Sequence, residues 1–502
     1  MTPAVLLVAL VAEDPAVLRN APRDDAPAQA TLWRGDWLEV RGETAGFLRV
    51  WDHRRERPGY VRPTVVRVHR ADAASAPELG AVVRFLRDST GNESLGIAYA
   101  ALALRAAPAG SDDGELLAAI GTMADRLARR ASARRASGRD ATLAAHVQVA
   151  ESYGVKFRVV EAAAPGDPTR VCYDGEAWER VLATPSAAPL DKPGTLGGFP
   201  DPPATDSARQ AELRLRDRAR AALFLAVDRC RAPLIAPAVE RVENDRRVQA
   251  LGSVDAAALP AALGGRVRLR RAEALAWRAF DQARQGRLDD AARAETEAVR
   301  ELALADRGVL APEDVALADD VTVRVAASRW AAEHPVGDAR NRPIAVVLAP
   351  RAPGETCVRV VEGAGAKPRT LGERCTYGVV WGSALRWAPS GAAATIAVQP
   401  LPAWTELWVL RRGADASWTI DTLAPATTEP EVGYVEAAGF SPDAARLLVV
   451  REARAGGRLT RRFQVLSAPT LAVEKQAGRP DVLLAFKRWS APSWRAATLA
   501  LR

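Results

Sequence analysis

Four histidines, four cysteines and thirteen tryptophans are the side chains in this 502-residue sequence that could do specific chemistry. Hydrolysis through an activated side chain needs a base beside a nucleophile. His53, His69, His146 and His334 are dispersed over separate segments, and the chain contains no Gly-x-Ser-x-Gly motif. The zinc-protease His-Glu-x-x-His, the P-loop and the dinucleotide Gly-x-Gly-x-x-Gly are also absent; the run from Gly363 to Pro368 lacks the third glycine. Acidic pairs such as Asp112/Asp113 and Asp319/Asp320 have no neighbour that would orient them as a dyad. No catalytic residue, metal site or cofactor is expected on these grounds, and only a site assembled from distant residues would escape this test. The cysteines are even in number, which suits an oxidising compartment. Cys357 and Cys375 flank an excursion that can fold as a hairpin, so they are expected to form a disulfide. Cys172 and Cys230 are the other candidate pair. No Cys-x-x-Cys occurs, which excludes a zinc ribbon or a thioredoxin motif.

Seven of the tryptophans follow residue 380. Trp381, Trp387, Trp404, Trp408 and Trp418 sit in β-repeat sequence and are expected in its core, as are Trp277 and Trp330 on helical patterns. Trp37 and Trp51 differ, because they close the two ends of WLEVRGETAGFLRVW. Folded as a hairpin around Gly42–Gly46, this stretch would pair Trp37 with Trp51, Glu39 with Arg49 and Arg41 with Phe47 on an outward face. Leu38 would meet Val50, and Val40 would meet Leu48, on the inward face. The aromatics are then surplus to a small core. Trp37, Trp51, Phe47 and Tyr60 form the expected ligand-binding face, unless the chain's own helices cover it.

The elements that must position this face lie in residues 14–70. LRNAP (Leu18–Pro22), LWRGDWLEV (Leu32–Val40), GFLRV (Gly46–Val50) and PGYV (Pro58–Val61) follow one another as in the bacterial SH3-like (SH3b) family, which the segment resembles. That resemblance implies a small barrel that binds cell-wall components or peptides outside the cytoplasm. Phe47 replaces the family's usual Trp, and the charged run Asp52–Arg57 is a second departure.

Beyond residue 70 the pattern changes twice. Residues 77–183 read as mostly helical with short strands at KFRVVEA and RVCYDG, and 184–207 as a Pro/Gly-rich linker. Residues 208–335 read as a helical bundle; WRAFDQARQGRLDDAARAETEAVREL resembles a tetratricopeptide pair, although three repeats at a fixed period are not found. Residues 340–502 are β-rich. Pro389, Pro442 and Pro492 recur at intervals of about 50 residues, typical of propeller blades, and the segments around Pro389 and Pro442 each continue into an apolar strand. These segments resemble TolB-type, WD-repeat-like blades, which implies a short or incomplete propeller, with a β-sandwich as the alternative. The expected fold class is multidomain α+β: an SH3-like barrel, a helical middle and a β-repeat domain.

Net charge is +8, from 69 basic and 61 acidic residues. Only five of the basic residues are lysines, and the excess is too small and too dispersed for a nucleic-acid footprint. The densest cluster, RLARRASARRASGRD at 126–140, reads as a solvated helix end. The apolar run Ala4–Ala12 resembles a secretory segment, without basic residues before it, so residues 1–12 are expected to be a signal peptide and the location periplasmic or secreted. A first β-strand, and with it a cytoplasmic location, is the alternative. No later run is long enough for a membrane span. The sequence therefore points to a non-catalytic envelope protein that binds a cell-wall component or a protein or peptide partner through its SH3-like and β-repeat domains. A hydrolase, or a degenerate relative, with the β-repeat domain as substrate gate is the second class.

Overall fold

The computed structural model describes residues 6–108, 111–135, 141–161, 170–184, 206–227, 236–333, 343–363, 368–413, 415–427 and 430–496. Helices and sheets are both abundant, and the chain divides into two compact units. One is Met1–Pro237 with Ser253–Asp255; the other is Ala238–Gly252 with Ala256–Arg502.

The first unit opens with β1 (Leu7–Val11), β2 (Ala16–Arg19), β3 (Ala28–Leu32), β4 (Trp37–Thr44), β5 (Phe47–Asp52), β6 (Arg57–Val61) and β7 (Val66–Arg70). They form one antiparallel sheet in the order β3-β2-β6-β5-β4-β1-β7. Leu7–Val11, the described heart of the apolar run read as a secretory segment, is therefore β1, hydrogen-bonded to β4 on one side and β7 on the other. Its continuous hydrophobicity has a structural cause, since both of its faces are buried. Ala9 and Val11 join Leu18, Leu32, Leu38, Val50 and Val61 in the sheet's own core. Val8 and Leu10 face the helices, packing with Leu79, Val83, Ile97, Met123 and Leu127.

The hairpin forms, but in a different register. Glu39 lies opposite Trp51 and Val40 opposite Val50; Arg41 is then bulged, and Gly42, Glu43 and Thr44 face Arg49, Leu48 and Phe47. The reason is turn chemistry. Ala45 (φ 50°) and Gly46 (φ 74°) make a two-residue turn with both φ values positive, the geometry that matches strand twist. The expected five-residue loop is shortened to two, and the pairing moves by two residues before the bulge. An even shift keeps each residue on its face, but Trp37 now pairs with Leu10 of β1 rather than with Trp51.

Four helices follow: α1 (Ala76–Arg87), α2 (Glu93–Ala106), α3 (Gly114–Arg135) and α4 (Ala141–Ser152). The expected short strands are β8 (Phe157–Val160) and β9 (Arg170–Tyr173), paired antiparallel, and EAWERVLA is α5 (Glu176–Ala183). The helix α6 (Asp206–Ala226) completes the unit. The N-terminal sheet and the helices were expected as separate domains, yet they share a core and a polar seam. Tyr153 Oη donates to the Gly35 carbonyl (2.6 Å) and Ser94 Oγ to that of Arg34 (2.7 Å). At Gly35 (φ 94°) a Cβ would lie 2.6 Å from the Ser94 carbonyl, so only glycine admits this approach.

The second unit begins with α7 (Pro237–Gly252), α8 (Ala261–Arg284), α9 (Leu288–Leu304) and α10 (Pro312–Ser328). The tetratricopeptide-like sequence is the α8–α9 turn, where Gly286 has φ 75°. These helices are not a domain of their own: Leu269, Leu275, Val321 and Val325 share one core with Tyr434, Val450 and Phe463 of the sheet. The β region begins with a three-stranded sheet, β10 (Ile344–Pro350), β11 (Thr356–Glu362) and β12 (Arg369–Thr376). Cys357 faces Cys375 across β11 and β12 and is bonded to it. Cys172 is disulfide-bonded as well; its expected partner Cys230 lies outside the described residues, as do His334 and most of the expected linker.

Two four-stranded meanders come next. The first is β13 (Val379–Trp387), β14 (Ala393–Leu401), β15 (Trp404–Arg412) and β16 (Trp418–Leu423); the second is β17 (Gly433–Phe440), β18 (Arg446–Ala455), β19 (Arg458–Ser467) and β20 (Val473–Ala477). A short parallel pairing of Trp404 and Thr405 with Gly433 and Tyr434 joins them into one sheet. Pro389 and Pro442 occupy equivalent turns, between β13 and β14 and between β17 and β18. The third repeat does not fold that way. Pro492 starts the short helix α12 (Pro492–Ala496), which follows α11 (Leu484–Trp489), and no strand comes between them. Among the described residues neither the seven-stranded sheet nor the two joined meanders closes on itself, and no helix is long and apolar enough to cross a membrane.

Candidate functional site

The four aromatics expected on the binding face are not equivalent in the fold. Phe47 is only 2% exposed. The Arg62 guanidinium covers its ring at 4.0 Å and is itself paired with Asp24. Phe47 is therefore withdrawn from the surface, covered by an arginine that follows β6. Tyr60 is half-buried on β6, opposite Arg49 and Arg19. Trp37 and Trp51 are both half-buried, and Trp37 does not pair with Trp51 across the strands.

His53 joins them instead. Its ring lies parallel to that of Trp37 (centroids 4.8 Å apart, planes at 8°) and edge-on to that of Trp51 (6.4 Å, 77°). The guanidinium of Arg41 lies 4.7 Å from the Trp51 ring centroid, a cation–π distance. Glu39 ties the row together, accepting from Arg41 Nε (2.9 Å) and meeting His53 Nε2 at 2.7 Å. Hydrogen bonds from Arg41 first and His53 second hold the Glu39 carboxyl below its usual pKa. The two-residue period of β4 and β5 sets Glu39 and Trp51 opposite each other, and the Arg41 bulge turns the guanidinium over the indole. Sequence reasoning placed His53 in a charged loop and missed it. Its signal was faint: a histidine two residues after a strand tryptophan, on that residue's face if the strand continues.

Asp52, Arg54 and Arg55 of the charged run Asp52–Arg57 are turned inward, while Glu56 and Arg57 are exposed. Arg55 bridges Asp52 (2.9 Å) and Asp36 (3.1 Å), and Arg54 bonds Asp36 (3.0 Å) and Gln148 of α4 (3.3 Å). Asp36 and Asp52 are almost fully buried, so this network is a brace for the sheet–helix seam. Trp37 belongs partly to that seam, since it packs against the helical core. Trp51, His53 and Arg41 make up the open part of the row.

The other described histidines are structural in placement. His146 Nε2 meets Asp14 Oδ2 at 2.8 Å where α4 packs on the sheet, and His69 meets Tyr99 Oη at 2.9 Å. Burial raises the Asp14 pKa, but the His146 bond, the Arg34 backbone bond and both charges outweigh it and hold the carboxyl below its usual value. In the second unit Trp381, Trp404, Trp408, Trp418 and Trp330 are buried, as core residues should be, while Trp277 and Trp387 are half-buried.

Comparison with protein-family models, curated proteins and solved structures gives no match.

Proposed function

We propose that this chain is a non-catalytic binding protein of the cell envelope, which takes a cell-wall or peptide partner through Trp51, His53 and Arg41. The carrying observation is the row itself: the Trp51 indole, with the His53 imidazole edge-on to it and the Arg41 guanidinium over its ring, braced by Glu39. Such a row offers aromatic edges with a fixed cation among them, and its rigidity lowers the entropy lost on binding. The motif order shared with SH3b sequences supports a partner outside the cytoplasm, and the Cys357–Cys375 disulfide suits an oxidising compartment. The catalytic alternative is not favoured by where the titratable pairs lie. Glu39 and His53 sit on an open face, and Asp14 and His146 are closed in between sheet and helices.

Trp51→Ala and Trp37→Ala separate ligand contact from packing. Trp51→Ala should weaken retention on purified peptidoglycan at least tenfold, about 1.4 kcal/mol, with the melting temperature unchanged. Trp37→Ala should lower the melting temperature, because that ring also packs on the helical core. Failure of the wild-type chain to bind either peptidoglycan or its peptide stems, or full retention by Trp51→Ala, would overturn the proposal.

A further inference from the structure

The second unit holds a cavity of about 590 Å³ between β13, β17 and the C-terminal helices α11 and α12. That volume falls within the range of roughly 300–1,000 Å³ common to small-molecule sites. Its polar floor is built from four charged side chains. Arg329, 8% exposed, is bonded through Nη2 to Glu436, which is 1% exposed. Glu436 is held in turn by Trp494, whose Nε1 donates to its Oε1 at 2.7 Å. Arg329 Nε lies 3.4 Å from Glu333, and Arg386 Nη2 lies 3.2 Å from the other oxygen of Glu333. The walls include Trp387, Phe440 and Trp489, each half-buried.

Two features of this cavity point to a small polar ligand. Glu333 and Arg386 are part-exposed, their side chains 31% and 26% exposed, so they can meet a ligand, whereas Arg329 is held against Glu436 and over the Trp330 ring. The second feature is charge. The two arginines and two glutamates among the described lining residues cancel, and each cation already faces a carboxylate. An anion entering here would meet no unpaired cation among these side chains and would leave its own charge uncompensated, which is costly. A neutral ligand would not.

We infer that this cavity is a binding site for a neutral saccharide, a monosaccharide or disaccharide ring. Vicinal hydroxyls both donate and accept. One can accept from the part-exposed Arg386 guanidinium while its neighbour donates to Glu333, whose side chain is 31% exposed and spans the two arginines. The C–H faces of a pyranose are apolar and match the Trp387, Phe440 and Trp489 rings. The arrangement needs no net charge on the ligand and no movement of Glu436, which is locked by Arg329 and Trp494. It is independent of the Trp51 face, which belongs to the other unit.

Titration of the full chain with glucose, galactose, N-acetylglucosamine, maltose and chitobiose, read by tryptophan fluorescence and by calorimetry, tests the assignment. At least one sugar should saturate in the millimolar range or below. Trp489→Ala and Glu333→Gln should each weaken that sugar at least fivefold while the circular dichroism spectrum stays that of the wild type. Arg329→Lys is the less clean variant, because Glu436 loses a buried partner and the unit can unfold. Benzoate and hexanoate serve as anionic probes of the same cavity. Saturation by no sugar in the panel, sugar binding unchanged in both Trp489→Ala and Glu333→Gln, or tighter binding of the carboxylates than of every sugar would overturn the inference.

Discussion

Glu295 shows how far a single side chain can depart from its usual chemistry here. It is fully buried on α9 and accepts from Ser328 Oγ at 2.7 Å, and its other oxygen has no hydrogen-bond partner among the described residues. Burial pushes its pKa up to about 8, against the opposing effects of the Ser328 bond and the Arg329 charge. The folded chain at neutral pH therefore carries a protonated Glu295, whereas the unfolded chain ionises it from about 4.5. A raised pKa gives a contribution that is complete below the unfolded value and is lost as pH rises through the folded one. Stability should then fall between pH 4.5 and about 8, at a slope of about 1.4 kcal/mol per pH unit. Glu295→Gln should flatten that slope and leave the chain more stable than wild type at the alkaline end. Urea unfolding of both proteins across this window checks it; equal slopes would mean that Glu295 is ionised in the fold. At this scale the sequence was a partial guide. Tryptophans in apolar runs could be assigned to cores by residue type, as Trp404 and Trp408 bear out. Partners brought by distant segments, such as His53 for Trp37 or Arg62 for Phe47, leave no spacing to read.

Elements were more legible than their pairings, because periodicity is local and register is not. The apolar spacing of α1 to α3, the brief β8–β9 pair and the α8–α9 turn all emerge where the sequence pattern placed them. The hairpin register failed at two residues, Ala45 and Gly46, since only a strict turn preference could have separated a two-residue from a five-residue loop. The repeat failed at Pro492, where the same aromatic–proline pattern begins a helix, a position that proline also suits. β1 carries the largest consequence. A strand buried on both faces and bonded on both edges looks, in sequence, like a secretory segment. Leu10→Ala should cost the first unit roughly 2–5 kcal/mol, whereas Leu7→Ala, at a position 39% exposed, should cost under ~0.5 kcal/mol. Mass spectrometry of the native protein should find Leu7–Val11 retained. A stably folded chain beginning at Glu13 would contradict the interior placement of β1.

At the scale of the whole molecule, six apparent segments become two units because cores are shared across the apparent boundaries. Val8 and Leu10 tie the N-terminal sheet to α1 and α3, and Val321 and Val325 tie α10 to β17–β19. Linkers are legible as composition, but shared cores depend on which faces meet in space. The two units have distinct cores, so a local change should register in one of them. The Cys357–Cys375 bond provides the test, since it closes a loop of sequence separation 18 within the second unit. The chain-entropy model credits a loop of that length with about 3 kcal/mol, gained by restricting the unfolded chain. A Cys357→Ser/Cys375→Ser variant leaves Cys172 untouched and should destabilise only the second unit by that order. Hydrogen exchange followed by mass spectrometry at increasing urea resolves the units peptide by peptide. Peptides from β14, β15 and β18 should lose protection at lower urea in the variant, and those from α2 and α3 should lose it where they do in the wild type. An equal loss of protection in both sets would mean that the two cores unfold as one cooperative body, because a constraint placed on one unfolded segment would then be felt by the entire chain.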